Sequence, residues 1–285
     1  MNASSGNADV GDILVTGASG VLGGPVVAEL VRRGHRVRAM SRRPIDLPPR
    51  TTKVHADLAT GAGVDQAVSG VGTIVHCATD VVRHKAVDEE GTKRLLAAAE
   101  EAGVAHLVYV SIVGVDTVSY AYYKSKLETE QIVGASEVPS TILRTTQFHD
   151  FVLAIAQQFA RPPLVVVPRL RVQPVDVRDV AERLADLVDA GPSGRVDDLG
   201  GPAVYRGEAL LRRYLAHVGV QRTVVAATLP GAAWRSLREG ANLVPEPGGG
   251  KRGFFEFLDE QSVVEDGKVL VRSAYAERWV DATLT

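Results

Sequence analysis

The run Ile13-Leu14-Val15-Thr16-Gly17-Ala18-Ser19-Gly20-Val21-Leu22-Gly23 sets three glycines, spaced three apart, directly behind an apolar strand pattern. After it Val26, Val27, Leu30 and Val31 recur at helical spacing, with Pro25 in the first turn and Gly34 as a stop. A strand that turns through glycines into a helix aims backbone N–H groups outward at the positive helix N-terminus. Because glycine lacks a Cβ, a ligand can approach that backbone closely. This is a place for a dinucleotide pyrophosphate, so Gly17, Ser19, Gly20, Val21, Leu22 and Gly23 are candidate cofactor-binding residues. The plainer alternative is a glycine-rich turn that binds nothing, and the strand-turn-helix context argues against it.

The spacing Gly17-x-x-Gly20-x-x-Gly23 departs from the G-x-G-x-x-G of ordinary dinucleotide folds. It resembles the T-G-x-x-G-x-x-G of the extended and atypical short-chain dehydrogenase/reductase superfamily. The second strand pattern, Arg36 to Met40, ends in Ser41-Arg42-Arg43, where an NAD enzyme usually places an acid for the ribose hydroxyls. Asp46 comes too late for that task. Two guanidinium groups and a hydroxyl suit a 2′-phosphate through forked, charge-assisted bonds, so NADP is the expected cofactor in preference to NAD. The alternative is that Arg42 and Arg43 only solvate a strand end.

Bulk properties exclude several classes. A chain of 285 residues has ample core for one large α/β unit or two modest domains. With 32 basic and 34 acidic residues the net charge is −2, so neither nucleic acid nor an anionic membrane is an expected partner. The single cysteine, Cys77, precludes an internal disulfide framework, and no apolar run approaches the ~20 residues of a membrane span. Met1 to Gly11 is small and polar, and reads as a flexible lead-in to a cytoplasmic protein and not as a signal peptide.

Strand patterns at 13–16, 36–40, 52–55, 72–76, 106–111 and 139–144 alternate with helical patterns near 24–33, 63–69, 86–102 and 119–134. The fold class expected is therefore α/β, a doubly wound parallel-sheet Rossmann fold. Residues 12–150 read as the NADP-binding core, and 151–285 as a small substrate-covering lobe interwoven with it. Leu164 to Val167 and Val172 to Val175 are short and proline-flanked, and a helix follows near Val177 to Asp189. Helices near 147–160, 207–218 and 231–240 are expected to lack regular strand partners. Phe254, Phe255 and Phe257 read as packing anchors. Residues 262–285 read either as an extra helix closing the substrate pocket or as an extension joining a second copy in a homodimer.

A second constellation is Tyr122-Tyr123-Lys124-Ser125-Lys126, behind the strand that ends at Ser111. Four residues apart on a helix, Tyr122 and Lys126 share a face. A free phenol is a poor acid/base at neutral pH, and a nearby ammonium favours its phenolate. The run resembles the Tyr-x-x-Ser-Lys motif of extended short-chain dehydrogenases, in which Tyr is the acid/base and Lys holds the nicotinamide ribose. The resemblance gives those roles to Tyr122 and Lys126. Ser111, the only hydroxyl in Val110-Ser111-Ile112-Val113-Gly114, reads equally as a catalytic donor or as a buried strand residue. Tyr123 ranks second to Tyr122, because Tyr-x-x-Lys also fits one helix face.

Further positions match the superfamily's cofactor frame. Asp57-Leu58 resembles the acid-apolar pair that meets the adenine, and Cys77, Ala78 and Thr79 stand where family members line the cofactor. His76 and Cys77 lack the converging ligands of a metal site, and packing is the reading preferred for both. Leu143 to Asp150, containing Gln147 and Phe148, follows the sixth strand at the ligand-binding end of an open sheet, so Tyr123, Gln147 and Phe148 are candidate substrate-binding residues. With Ser111 to Gly114 and Asp198-Leu199-Gly200-Gly201-Pro202, this run resembles the NmrA-like branch, over roughly residues 12–258. The resemblance implies an NADP-dependent oxidoreductase acting on a small carbonyl, enone or quinone-type substrate by hydride transfer. Two alternatives stay open: a non-catalytic NADP-binding sensor, and a nucleotide-sugar epimerase or dehydratase. The scattered Arg169, Arg171, Arg206, Arg212 and Arg213 form no clear phosphate motif for the latter.

Overall fold

The computed structural model describes residues 11–265 and 268–273. The expected lead-in over residues 1–10, and the part of the C-terminal reading beyond 273, lie outside the described residues. In chain order the elements are β1 (Asp12–Thr16), α1 (Gly23–Arg32), β2 (Val37–Met40), β3 (Thr51–Val54), α2 (Val64–Val68) and β4 (Val71–His76). A π-helical turn at Lys85–Glu89 leads into α3 (Glu90–Glu101), followed by β5 (His106–Ile112), α4 (Ala121–Gly134), β6 (Ser140–Thr145) and α5 (His149–Phe159). Then come β7 (Leu164–Pro168), β8 (Arg171–Val172), α6 (Val177–Ala190), β9 (Gly194–Arg195), β10 (Tyr205–Arg206) and α7 (Gly207–His217). The last are β11 (Thr223–Ala227), α8 (Ala232–Glu239), α9 (Phe254–Glu260), β12 (Ser262–Glu265) and β13 (Lys268–Val271). Among the described residues no helix is long and apolar enough to cross a membrane.

The chain forms two compact units. The first comprises residues up to Val110 with Glu128–Ile142 and Ala181–Val196. Its centre is a seven-stranded parallel sheet in the order β3-β2-β1-β4-β5-β6-β9. In β1 the residues Ile13, Leu14 and Val15 are all buried, the continuous apolar run expected of a strand covered on both faces. Leu14, Ile74, Leu95, Leu107 and Tyr109 share one core cluster. Strand order reverses between β1 and β4, so the residues after these two strands lie at the switch point where doubly wound sheets bind ligands. Arg33 ties the end of α1 to α6 through Asp186 at 2.8 Å and Asp189 at 2.9 Å.

The second unit comprises Ser111–Leu127, Leu143–Val180 and the described residues from Asp197 onward. Here the structure departs from the expected absence of strand partners. β7 and β11 pair in parallel, with Val165, Val167 and Val224 buried alongside Leu210, Leu211 and Tyr214 of α7. β11 is hard to read from sequence because one face alone is covered: Val225 lies 47% exposed while Val224 is buried. The strand expected over Val172 to Val175 is cut to β8, since Pro174 has no N–H to donate to a ladder. In the C-terminal reading, Ser262–Glu265 and Lys268–Val271 pair as the antiparallel strands β12 and β13 and not as a helix. Phe254 and Phe257 are buried packing residues, as expected.

His106 opens β5 at 3% exposure, with Nε2 2.8 Å from the Thr141 hydroxyl. Burial lowers its pKa from 6.5 to about 4. Between those values the unfolded chain binds a proton that the native ring refuses, so stability falls as the pH drops through this window and levels off below it. Urea unfolding across the window is expected to show this slope, and to show less of it in a His106→Gln variant.

Candidate functional site

Backbone geometry makes the β1–α1 loop a cradle. Gly17 adopts φ +63°, and a Cβ there would lie 2.8 Å from the Ala78 Cα beyond β4. The Gly20 N–H donates to the Gly17 carbonyl at 2.7 Å, and a Cβ on Gly20 would come within 2.8 Å of that same oxygen. At Gly23 a Cβ would run into it outright. All three glycines are thus dictated by the turn, before any ligand enters. Helix α1 then opens with neither a side-chain cap nor an acidic residue in its first turn, leaving its positive dipole end for an anion. Ser19, Gly20 and Val21 are partly exposed along the loop, whereas the Leu22 side chain is buried and only its backbone is available. A nicotinamide dinucleotide fits this donor set through its pyrophosphate.

Behind the loop runs a polar thread. The Thr16 hydroxyl accepts from the Ala78 N–H at 3.1 Å and lies 2.7 Å from His76 Nδ1, while His76 Nε2 lies 2.9 Å from the Thr92 hydroxyl. His76 is 1% exposed, so it is a satisfied core histidine, as the sequence suggested. The turn after β4 is held by Asp88, whose carboxylate accepts from the Thr79 hydroxyl at 2.6 Å and the Asp80 N–H at 3.0 Å. Asp88 is a buried organiser that sequence reading missed, its one signal being a carboxylate in an otherwise apolar helical stripe beside Val87. Cys77 forms no disulfide and is half-buried.

After β2, Ser41 is buried and its hydroxyl exchanges hydrogen bonds with the Arg43 backbone, so it shapes the turn. Arg42 and Arg43 are exposed. After β3, the Asp57 carboxylate accepts from the Ala59 N–H at 3.0 Å, and Leu58 packs into the core.

In the second unit, Ser111 is 1% exposed and its hydroxyl has no hydrogen-bond partner among the described residues. An unsatisfied buried hydroxyl is costly and marks a place where a ligand atom or water is wanted. On α4, Lys126 is buried at 4% exposure, one helical turn beyond a half-buried Tyr122. Burial pushes the Tyr123 pKa up to about 12, against a lowering hydrogen bond with Gln147. A phenol so held is a poor proton donor and a good fixed hydrogen-bonding group. Gln147 is fixed in turn, its Nε2 donating to the Asn242 carbonyl at 3.2 Å and its Oε1 accepting from the Gln173 N–H at 3.2 Å. Phe148 is half-buried and bridges to Val175. Asn242, 2% exposed with Oδ1 unpartnered among the described residues, is a second residue that sequence reading missed, since nothing local distinguishes Ala241-Asn242-Leu243. Among the described residues no group of three or more His, Cys, Asp or Glu is placed to hold a metal.

The cradle generates a paired prediction. Gly23→Ala must displace the Gly17 carbonyl, whereas a Cβ on Gly24 would meet nothing closer than 3.8 Å. Overpacking of this kind costs about 1–3 kcal/mol, so fluorescence titration is expected to show NAD(P)H affinity falling by about tenfold or more in Gly23→Ala and unchanged in Gly24→Ala.

Comparison with known proteins agrees with this geometry. A family profile described as NAD(P)H-binding matches residues 17–190. A 3-beta-hydroxysteroid dehydrogenase of Mycolicibacterium neoaurum is 40% identical over 118 residues, which are 36% of this chain and 32% of that protein; the match thus spans about a third of its length. The (4-alkanoyl-5-oxo-2,5-dihydrofuran-3-yl)methyl phosphate reductase of Streptomyces griseus is 33% identical over 198 residues, covering 67% of this chain and 68% of that one. Among solved structures, the NADPH-dependent quinone oxidoreductase QOR2 of Escherichia coli superposes with a TM-score of 0.71 at 20% identity, over 87% of this chain and 98% of that one. The Citrobacter sp. triphenylmethane reductase, complexed with NADP(H), gives 0.70 at 17%, over 87% and 99%. The chain belongs to the NAD(P)H-binding family and has a Rossmann-like α/β fold.

Proposed function

We propose that the chain is an NADP-dependent reductase of a small carbonyl, enone or quinone-type substrate, with Tyr122 as proton donor and Lys126 as the cation that favours its phenolate and holds the nicotinamide ribose. The observation that carries the reading is the burial of Lys126 on α4, one turn from Tyr122, in the unit that also holds the unpartnered Ser111 hydroxyl. An ammonium held one helical turn from a phenol favours its phenolate, and it can donate to a ribose hydroxyl. NADPH, when bound, supplies the hydride. The Tyr122 hydroxyl gives its proton to the substrate oxygen, and Ser111 donates a hydrogen bond to that oxygen. Tyr123, Gln147 and Phe148 line the substrate side as fixed, largely uncharged groups. The names of the Streptomyces reductase and the Escherichia coli quinone oxidoreductase support the reaction class.

For the cofactor, the loop backbone of Gly17, Ser19, Gly20, Val21, Leu22 and Gly23 would surround the pyrophosphate, with the Gly20 N–H already given to the Gly17 carbonyl. Asp57 and Leu58 would meet the adenine, and Cys77, Ala78 and Thr79 would line the nicotinamide half. NADP is preferred because Ser41 shapes a turn that ends in two exposed arginines whose guanidinium groups have no hydrogen bond or ion pair among the described residues. A 2′-phosphate gives both guanidinium groups a partner. Losing two charged hydrogen bonds, the Arg42→Ala, Arg43→Ala double variant is expected to bind NADPH at least about tenfold more weakly and NADH unchanged, as read by fluorescence titration. Equal affinity of the unaltered protein for both cofactors would remove the preference.

The reaction is tested at Tyr122. Tyr122→Phe is expected to retain NADPH affinity and lose about 10²–10⁴-fold in turnover, the range of general acid–base catalysis, while Lys126→Ala damages both. Turnover at the unaltered rate in Tyr122→Phe would refute the assignment. Failure of the unaltered protein to oxidise NADPH with any compound in a broad carbonyl and quinone screen would favour the sensor.

A further inference from the structure

The register of the shortest ladder in the second unit sets like charges against each other. In the antiparallel β8–β10 pair, Arg171 stands directly opposite Arg206. The neighbouring Gly207 N–H donates to the Leu170 carbonyl at 3.0 Å, so that adjacent pair is hydrogen-bonded and the arginine pair is of the non-hydrogen-bonded kind, where Cβ atoms come closest. Like charges directly opposite on a ladder destabilise it. Both side chains are exposed, and only part of the charge is offset. Arg206 meets the buried Glu208 carboxylate at 2.7 Å, while Arg171 reaches no carboxylate among the described residues and only the Glu239 carbonyl, at 3.5 Å, the outer limit of a hydrogen bond. Ten N–H donors on two planar forks are therefore largely unused, with a net positive charge between them.

The same pair is joined to the proposed substrate side. The Asn242 Nδ2 donates to the Arg171 carbonyl at 2.9 Å, and the Asn242 carbonyl accepts from Gln147, which holds Tyr123. Arg171 thus lies two hydrogen bonds from Gln147.

We propose that Arg171 and Arg206 form an anion subsite that recognises a phosphate monoester on the substrate. A phosphate dianion bridging the two forks converts the cross-strand repulsion into paired, charge-assisted bonds. The competing account is that Glu208 and the end of α8 already satisfy the two side chains and water solvates the rest. The assignment of the anion to a substrate rests on the reductase reading, whereas the binding test below does not.

Isothermal titration of the full chain saturated with NADPH, which fills any phosphate site of the cofactor, would use methyl phosphate and, separately, acetate. Methyl phosphate is expected to bind the unaltered protein more tightly than acetate does. Arg171→Gln and Arg206→Gln are each expected to weaken it by about tenfold or more and the double variant to abolish it, with NADPH affinity unchanged throughout. Arg161→Gln, an exposed arginine elsewhere in the same unit, is expected to leave methyl phosphate binding as it was. Undiminished binding in the double variant, equal binding of acetate, or an equal loss in Arg161→Gln would overturn the subsite. If NADPH itself does not bind, the proposed function fails separately, and the same comparison is made on the free protein in an Arg42→Ala, Arg43→Ala background.

Discussion

One carbonyl oxygen organises the first unit. The Gly17 oxygen receives the Gly20 N–H and sits where a Cβ on either Gly20 or Gly23 would have to be, while Gly17 itself presses on Ala78 beyond β4. A side chain at any of these glycines would push β1, β4 and α1 apart at the point where strand order reverses. The turn can be this tight only because the chain forgoes three side chains, and the amides it thereby leaves exposed are the chemistry that a pyrophosphate needs.

Polar groups buried behind that turn are matched in pairs. Thr16, His76 and Thr92 form a run in which the Thr16 hydroxyl accepts from the Ala78 N–H and lies against His76 Nδ1, while Nε2 lies against the Thr92 hydroxyl. His76 is thereby a strut between strand and helix. Asp88 does the same for the turn after β4, with two donors on its two oxygens. These groups locate the loop without standing in its path, an arrangement suited to a site that has to admit a large, multiply charged cofactor.

The parallel sheet and its helices were legible because each signal is local and repeated: continuous apolar runs such as Ile13 to Val15, a helical stripe such as Val26, Val27, Leu30, and glycines where the backbone demands them. The Tyr122/Lys126 spacing was legible for the same reason. What escaped notice depends on residues far apart in the chain. β11 is a strand only because β7 lies beside it, Asn242 acquires meaning only through Gln147 and Arg171, and Arg171 meets Arg206 through a register that no local pattern encodes. Tyr123 is tied through Gln147 to Asn242 and Gln173, a connection that the order of residues 122–126 does not encode.

Cys77 gives the molecule a built-in address. It is the sole thiol of the chain, half-buried, one residue after the His76 strut and one before the Ala78 on which Gly17 bears. A maleimide or fluorinated tag at that sulfur would sit at the carboxyl end of β4 without any engineered cysteine. Its spectrum would then report on the dinucleotide cradle in a protein whose sequence is otherwise untouched.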